Sequence, residues 1–294
     1  MGHSIGDHVY GESDIEFLLV DRPRSGSPHR VRRFRADVRL RMDHPEVYRD
    51  GDNTRLVPVS SLTNSVLALG ARHTGSEPEV YALELAEHFL KGGRRPAEAA
   101  EVTLTAREFE SLAAEGTRHF TVPGGPRDHA HVTLPRDGDP VVHGGLLDVE
   151  FFVTGGATFT GFARDAFTTT TASTDRVFAA RLDVRWRYAH ADADHRRCRS
   201  RAARAVAEAF AGHTSRSSQH TFHHLGTAVL DACPDIAGVR VEGSHLTRAL
   251  VDLTPFGVEN DGRVYTASDH QQSTVAVDVH RGREPERTEE WEIA

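Results

Sequence analysis

Between Val31 and Met42 apolar and polar residues alternate strictly, with Phe34, Ala36, Val38, Leu40 and Met42 on one side and Arg33, Arg35, Asp37, Arg39 and Arg41 on the other. A period of two belongs to a strand with one buried face. The segment from Arg176 to Tyr188 does the same: Phe178, Ala180, Leu182, Val184, Trp186 and Tyr188 oppose Ala179, Arg181, Asp183, Arg185 and Arg187. The letters match as well as the pattern. Asp37-Val38-Arg39 and Arg41 recur as Asp183-Val184-Arg185 and Arg187, about half the chain later, which points to an internal duplication.

The segments after the two long strands are also alike. After the first, a helical period is expected from about Leu62 to Ala71, then a second helix carrying Tyr81, Leu85 and Phe89 behind a capping box of Ser76 and Glu79. After the second come Arg199 to Ala211, with Ala202, Val206 and Phe210 on one stripe, and Ser217 to Ala232, with Phe222, Leu225 and Val229 at helical spacing. Short alternating runs then return. They are Glu101–Thr105, His119–Val122 and His129–Leu134 in the first half, and Val239–Glu242, Leu250–Leu253, Arg263–Thr266 and Thr274–His280 in the second. Each half reads strand-strand-helix-helix-strand-strand, so the chain is expected to be α+β, with repeats at 1–140 and 141–294. Such antiparallel sheets cover only one face with their own helices and leave long edges bare, so they are expected to join edge to edge into a closed barrel within an oligomer.

Composition narrows the function. The 35 basic and 43 acidic residues give a formal charge of -8, which argues against a nucleic acid or an anionic membrane as partner. Cys198 and Cys233 are the only cysteines, too few for a disulfide framework or a cysteine zinc site, and they suggest a reducing compartment. The start of the chain has neither the basic flank nor the apolar stretch of a signal peptide, no apolar run approaches the roughly 20 residues of a membrane span, and the cytoplasm is expected. Lys91 is the only lysine, so most lysine chemistry is excluded.

Several strings then become recognisable. Tyr10-Gly11 near the start, Asp52-Asn53 with Val57-Pro58 and Asn64-Ser65-Val66, and His129-Ala130-His131 stand in the first half. Gly161-Phe162-Ala163-Arg164-Asp165 leads through Phe167-Thr168-Thr169 to Asp175-Arg176 and Trp186-Arg187-Tyr188, and Val251-Asp252-Leu253 with Pro255-Phe256-Gly257 comes near the end. Together they resemble the urate oxidase (uricase) family over nearly the whole chain. The resemblance implies a tandem T-fold, a homotetramer enclosing a tunnel, active sites at dimer interfaces, and neither metal nor organic cofactor, with molecular oxygen as co-substrate. It also implies a ring clamp in which Phe159 stacks on a flat purine, Arg176 and Gln219 grip its polar edge, and Ser218 supplies a backbone amide. The residue types suit that work: a guanidinium donates two parallel bonds, an amide donates and accepts, and an aromatic face takes the ring.

Other positions depart from the family pattern. Where the family reads Tyr-Gly-Lys this chain reads Tyr10-Gly11-Glu12, the family's relay threonine falls on Val59, and the aspartate after it falls on Ser60. Counting back from Asp252 puts the family's Asn-x-His asparagine on His245 and its histidine on Thr247, whereas a two-residue shift keeps His245 as the histidine. Glu12, His245 and Thr247 are therefore the candidate catalytic positions, with Phe159, Arg176, Ser218, Gln219, Val59 and Ser60 lining the ring. Two functions are compatible with this set: a cofactor-independent oxidase of a purine-like ring other than urate, with Glu12 as general base, or a non-catalytic homologue that binds a ring or serves a structural role.

The 19 histidines raise the question of a metal. His220, His223 and His224 share a helical face, and His190, Asp192, Asp194 and His195 crowd a loop, but neither group has the spacing of a strong metal signature, and no functional metal is expected. The loop from Asp21 to Arg30 and the Gly124-Gly125-Pro126 turn read as connectors, and the charged tail from Arg281 to Glu290 as a mobile segment or an intersubunit contact. The ending Glu292-Ile293-Ala294 carries no peroxisomal address.

Overall fold

A computed structural model of the chain describes residues 3–23, 29–73, 75, 77–91, 97–112, 118–267 and 273–282. The chain divides into two units: one comprises Met1–Gly145 and Arg187–Arg199, the other Leu146–Trp186 and Ser200–Ala294.

In the first unit β1 (Val9–Asp21) and β2 (Arg30–Met42) form an antiparallel pair. The short helix α1 (Glu46–Arg49) and a 3-10 turn at Asn53–Arg55 lead into α2 (Val59–Gly70) and α3 (Pro78–Lys91). Then come β3 (Ala97–Glu108), a two-residue hairpin of β4 (Glu110–Ser111) and β5 (Phe120–Thr121), and β6 (Arg127–Pro135). The sheet order is β1-β2-β3-β6. The alternation of β2 sets its packing: Phe34, Ala36, Val38, Leu40 and Met42 are all buried, against Leu62 and Val66 of α2 and Tyr81, Leu85 and Phe89 of α3 in the same core. Each such side chain contributes roughly 1.5–3 kcal/mol by leaving water, and Arg33, Arg35, Arg39 and Arg41 of β2 occupy the opposite face.

The second unit repeats the plan. β7 (Val141–Phe159) and β8 (Ser173–Tyr188) precede α4 (His195–Ala211) and α5 (Ser218–Ala232), and β9 (Ile236–His245) and β10 (Val275–His280) close it. The strand order is β7-β8-β9-β10, and α5 packs on β9 and β10. Phe178, Leu182, Val184 and Trp186 are buried, and Gly243 lets β9 lie close to β8, since a Cβ there would come within 2.3 Å of the Arg181 carbonyl oxygen.

Some expectations give way. Leu250–Leu253 and Arg263–Thr266 are not strands. Only an isolated bridge joins Leu250 to Tyr265, and the segment is a loop held by Asn260, whose side-chain amide donates to the carbonyls of Val251 and Val264, each at 2.8 Å. An asparagine that satisfies the backbone locally removes the need for a ladder. Ser76 lies outside the described residues, and so does most of the charged tail. Glu79, expected to close a cap, is instead fully buried: Tyr188 Oη donates to it at 2.8 Å and Arg199 adds an ion pair.

Candidate active site

In the second unit the ring-binding candidates converge. Phe159 ends β7, and Arg176 lies on the neighbouring strand β8 with its guanidinium carbon 5.0 Å from the centre of the Phe159 ring. Two anchors hold this corner. The Asp175 carboxylate accepts from the Gly156 amide at 2.5 Å, across β7 and β8, and Thr158 N–H donates to the Ser215 carbonyl at 2.7 Å. The second anchor ties the end of β7 to the loop that opens α5. There Ser217 caps the helix, accepting from His220 N–H at 3.1 Å, which leaves half-buried Ser218 and exposed Gln219 in the first turn. Arg176 Nε is buried with no hydrogen-bond partner, and burial holds its guanidinium pKa below the usual arginine value. A buried donor without an acceptor is costly, and the arrangement suits a ligand that supplies one.

His245 belongs to the same corner. It ends β9, stacks on Phe178 with ring centres 5.5 Å apart, and its amide donates to Ser273 Oγ at 3.2 Å. Burial first, then the charges of Arg176 and Arg248, push its pKa down, so it is neutral at pH 7. Thr247 is exposed, and its carbonyl oxygen accepts from Arg248 Nη1 at 3.4 Å.

The remaining candidates gather in the first unit. Tyr10 Oη accepts from Val57 N–H at 3.2 Å, tying the strand that carries Glu12 to the start of α2, where Val59 and Ser60 form the first turn. Glu12 is half-buried at a β-bulge, where the register slips between Glu12 and Ile15. Gly11 is obligatory beside it, because a Cβ would come within 1.9 Å of the Val38 carbonyl oxygen. Bulges of this kind re-aim a side chain. Val59 is 47% exposed and Ser60 is exposed; no side chain caps α2, so the amides of its first turn point outward from the helix.

Two residues of the corner escaped the sequence reading. Phe162 stacks on Phe159 with centres 4.8 Å apart and planes 13° apart, and Arg164 lies 5.2 Å from the Phe162 ring centre while donating to the Thr170 carbonyl at 2.6 Å. Both stand in the Gly161–Asp165 string, but a loop aromatic carries no periodic signal. Among the described residues no group of three or more His, Cys, Asp or Glu is placed to hold a metal. The helical histidines pair differently from the expected trio: His213 contacts His224 and His220, with ring centres 4.5 and 4.7 Å away.

Comparison with known proteins agrees with this architecture. The Uricase family model matches residues 142–276. A uricase from Danio rerio is 27% identical over 288 residues, covering 92% of this chain and 93% of the relative. A uricase from Arthrobacter globiformis is 26% identical over 282 residues, covering 94% and 90%. The crystal structure of uricase from Arthrobacter globiformis superposes with a TM-score of 0.89 at 24% identity, covering 99% of both chains. The tandem T-fold expected from the sequence is thus the fold observed, and residues 142–276 are similar to the Uricase family model.

Proposed function

We propose that this chain is a cofactor-independent, uricase-like oxidase of a planar, purine-like heterocycle, working in the cytoplasm as a homotetramer. The observation that carries the reading is the pairing of Phe159 with Arg176, whose buried Nε lacks an acceptor. A flat ring stacked on Phe159 brings carbonyl or ring-nitrogen acceptors to that donor, while Gln219 and the Ser218 amide on α5 address its remaining edge. In the tetramer the two repeats, 1–140 and 141–294, close their sheets edge to edge, and Glu12, Val59 and Ser60 of one subunit face the clamp of another.

On that face Glu12 stands where the family uses a lysine, and Val59 where it uses a threonine. A carboxylate takes a proton from the ring where an ammonium cannot, and it repels an anion, so a neutral ring is favoured over urate. The ring then gives two electrons and two protons to dioxygen, forming hydrogen peroxide. His245, neutral and beside Arg176, completes the clamp side, with Thr247 as the alternative for the family's histidine. A homologue that binds the ring without oxidising it is the second reading, and it is favoured by Val59, which has no hydroxyl to pass a proton.

The test is a Glu12→Gln variant beside the parent protein, with ring binding and oxygen uptake measured on each. Unchanged binding with oxygen uptake reduced about a hundredfold supports the base role, in line with the usual weight of a general base. Undiminished turnover removes it, and binding without uptake in the parent selects the second reading.

A further inference from the structure

Thr221 lies one turn into α5 and is fully buried, on the side of the helix that also buries Phe222 and Leu225. A threonine inside a helix ordinarily returns its hydroxyl to the carbonyl four residues back. Thr221 does so, donating to the Ser217 carbonyl at 3.0 Å, and the same hydroxyl reaches out of the helix to Oγ of Ser215 at 2.8 Å. Nε2 of His213, on the loop before α5, stands 3.1 Å from it.

Both serines lead to the ring clamp. The Ser215 carbonyl accepts from Thr158 N–H at 2.7 Å, one residue before Phe159. Ser217 Oγ accepts from His220 N–H at 3.1 Å and caps α5, which sets the first turn where Ser218 and Gln219 stand. Ser215 is itself buried, so its hydroxyl relies on protein partners. Valine has nearly the shape of threonine and fills such a place in a core without a polar atom to satisfy. The hydroxyl of Thr221 is instead the point from which the Phe159 limb and the Gln219 limb are both held.

We propose that Thr221 is a positioning residue of the ring clamp, fixing Phe159 relative to Gln219: it acts on the first through Ser215 and Thr158 and on the second through Ser217. The proposal rests on the reading of Phe159, Arg176 and Gln219 as a clamp. Thr221 touches no part of the ring in that reading. A ring stacked on Phe159 meets Gln219 only if the two limbs keep their separation, and a misplacement of about 1 Å is enough to lose much of the grip.

The test is calorimetric titration of urate, xanthine and other purine-like rings into the full chain and into Thr221→Val, Thr221→Ser and Val229→Ala, the last a control that trims the buried face of the same helix away from these hydrogen bonds. Binding is expected to weaken about tenfold in Thr221→Val and to stay within about twofold of the parent in Thr221→Ser, which keeps the hydroxyl, and in Val229→Ala. With no ring present, deuterium exchange at the Thr158 amide is expected to quicken about tenfold in Thr221→Val. If Thr221→Val does not fold, Ser215→Ala removes the same contact, with the same expected losses. Ring binding by the parent with equal affinity in Thr221→Val, an equal loss in Thr221→Ser or Val229→Ala, or unchanged exchange at Thr158 overturns the proposal and leaves the clamp standing. Absence of ring binding in the parent refutes the clamp itself and the proposal with it.

Discussion

The backbone amide of Asp14 donates to Oδ1 of Asp37 at 2.8 Å, and in the other repeat the amide of Asp148 donates to Oδ1 of Asp183 at 2.9 Å. Asp14 and Asp148 are the two non-glycine residues with positive φ among those described, at 60° and 61°. Asp37 and Asp183 are the acidic members of the two matching strings on β2 and β8. The duplication is therefore preserved as a device: an aspartate on the second strand of each repeat captures a left-handed bulge on the first. In the first repeat that bulge presents Glu12.

Replacing Asp37 by alanine removes the acceptor for the bulge. A net loss of about 1–2 kcal/mol is expected, with Asp183→Ala losing a similar amount in its own repeat. Urea denaturation of both variants checks this, and stability equal to the parent's for Asp37→Ala contradicts a bracing role. Asp14→Gly, which relieves positive φ while keeping the amide, is expected to be no less stable than the parent.

Arg176→Ala is expected to weaken ring binding by about 1.5–3 kcal/mol, the usual weight of a hydrogen bond to a charged group. Phe162→Ala is expected to act less strongly and through Phe159, whose ring it backs at 4.8 Å. Titration of a purine panel by calorimetry measures both. Equal affinity in the parent and in Arg176→Ala argues against the clamp.

Stability is expected to fall in acid, partly through histidine. Burial, then the neighbouring His224, His220 and Arg216, push the His213 pKa down from 6.5 to about 4. Between those values the unfolded chain binds a proton that the folded chain refuses, so stability is full above pH 6.5 and declines as pH falls toward 4. The ring is only partly buried, so water screens the effect to about 1 kcal/mol or less. His213→Gln should flatten this window in thermal melts; a parent-like slope shows that the titration lies elsewhere. His245, also lowered chiefly by burial, acts in the same direction.

Glu79 offers a sharper test of the first unit. It is fully buried and held by Tyr188 and Arg199. Glu79→Gln leaves Arg199 with only Asp128, 3.7 Å away, whose own pKa burial pushes up. A loss of about 3–5 kcal/mol is expected for breaking a buried pair on one side, and Tyr188→Phe should lose about 1 kcal/mol. Equilibrium unfolding in urea reads both; near-parent stability of Glu79→Gln places that carboxylate outside the stabilising network.

The fold was legible where one face of an element is buried. β2 and β8 alternate without a break because helices cover one side and solvent the other, and all four principal helices follow from apolar spacing. β1 and β7, the first strand of each repeat, were implied by the repeat order but not located. β7 carries Gly144, Gly145, Gly155 and Gly156, which read as turns, and β1 turns its alternation over at a bulge between Glu12 and Ile15. The loop around Asn260 imitates two strands in composition, and only its side-chain hydrogen bonds separate the cases. For the site, Phe159, Arg176 and Gln219 came from resemblance, since a lone arginine on a strand face is ordinary. Phe162 and the hydrogen bonds of Thr221 emerged only when loop packing was in view.

Oxygen uptake recorded with ultraviolet absorbance, on purified protein without added cofactor, tests the central claim most directly, with urate, xanthine and other purine-like rings as substrates. Oxygen consumption with a neutral ring, and little with urate, is the outcome that the base role proposed for Glu12 predicts. Rapid consumption with urate contradicts the substrate preference assigned to Glu12, and silence with every ring contradicts the oxidase reading itself.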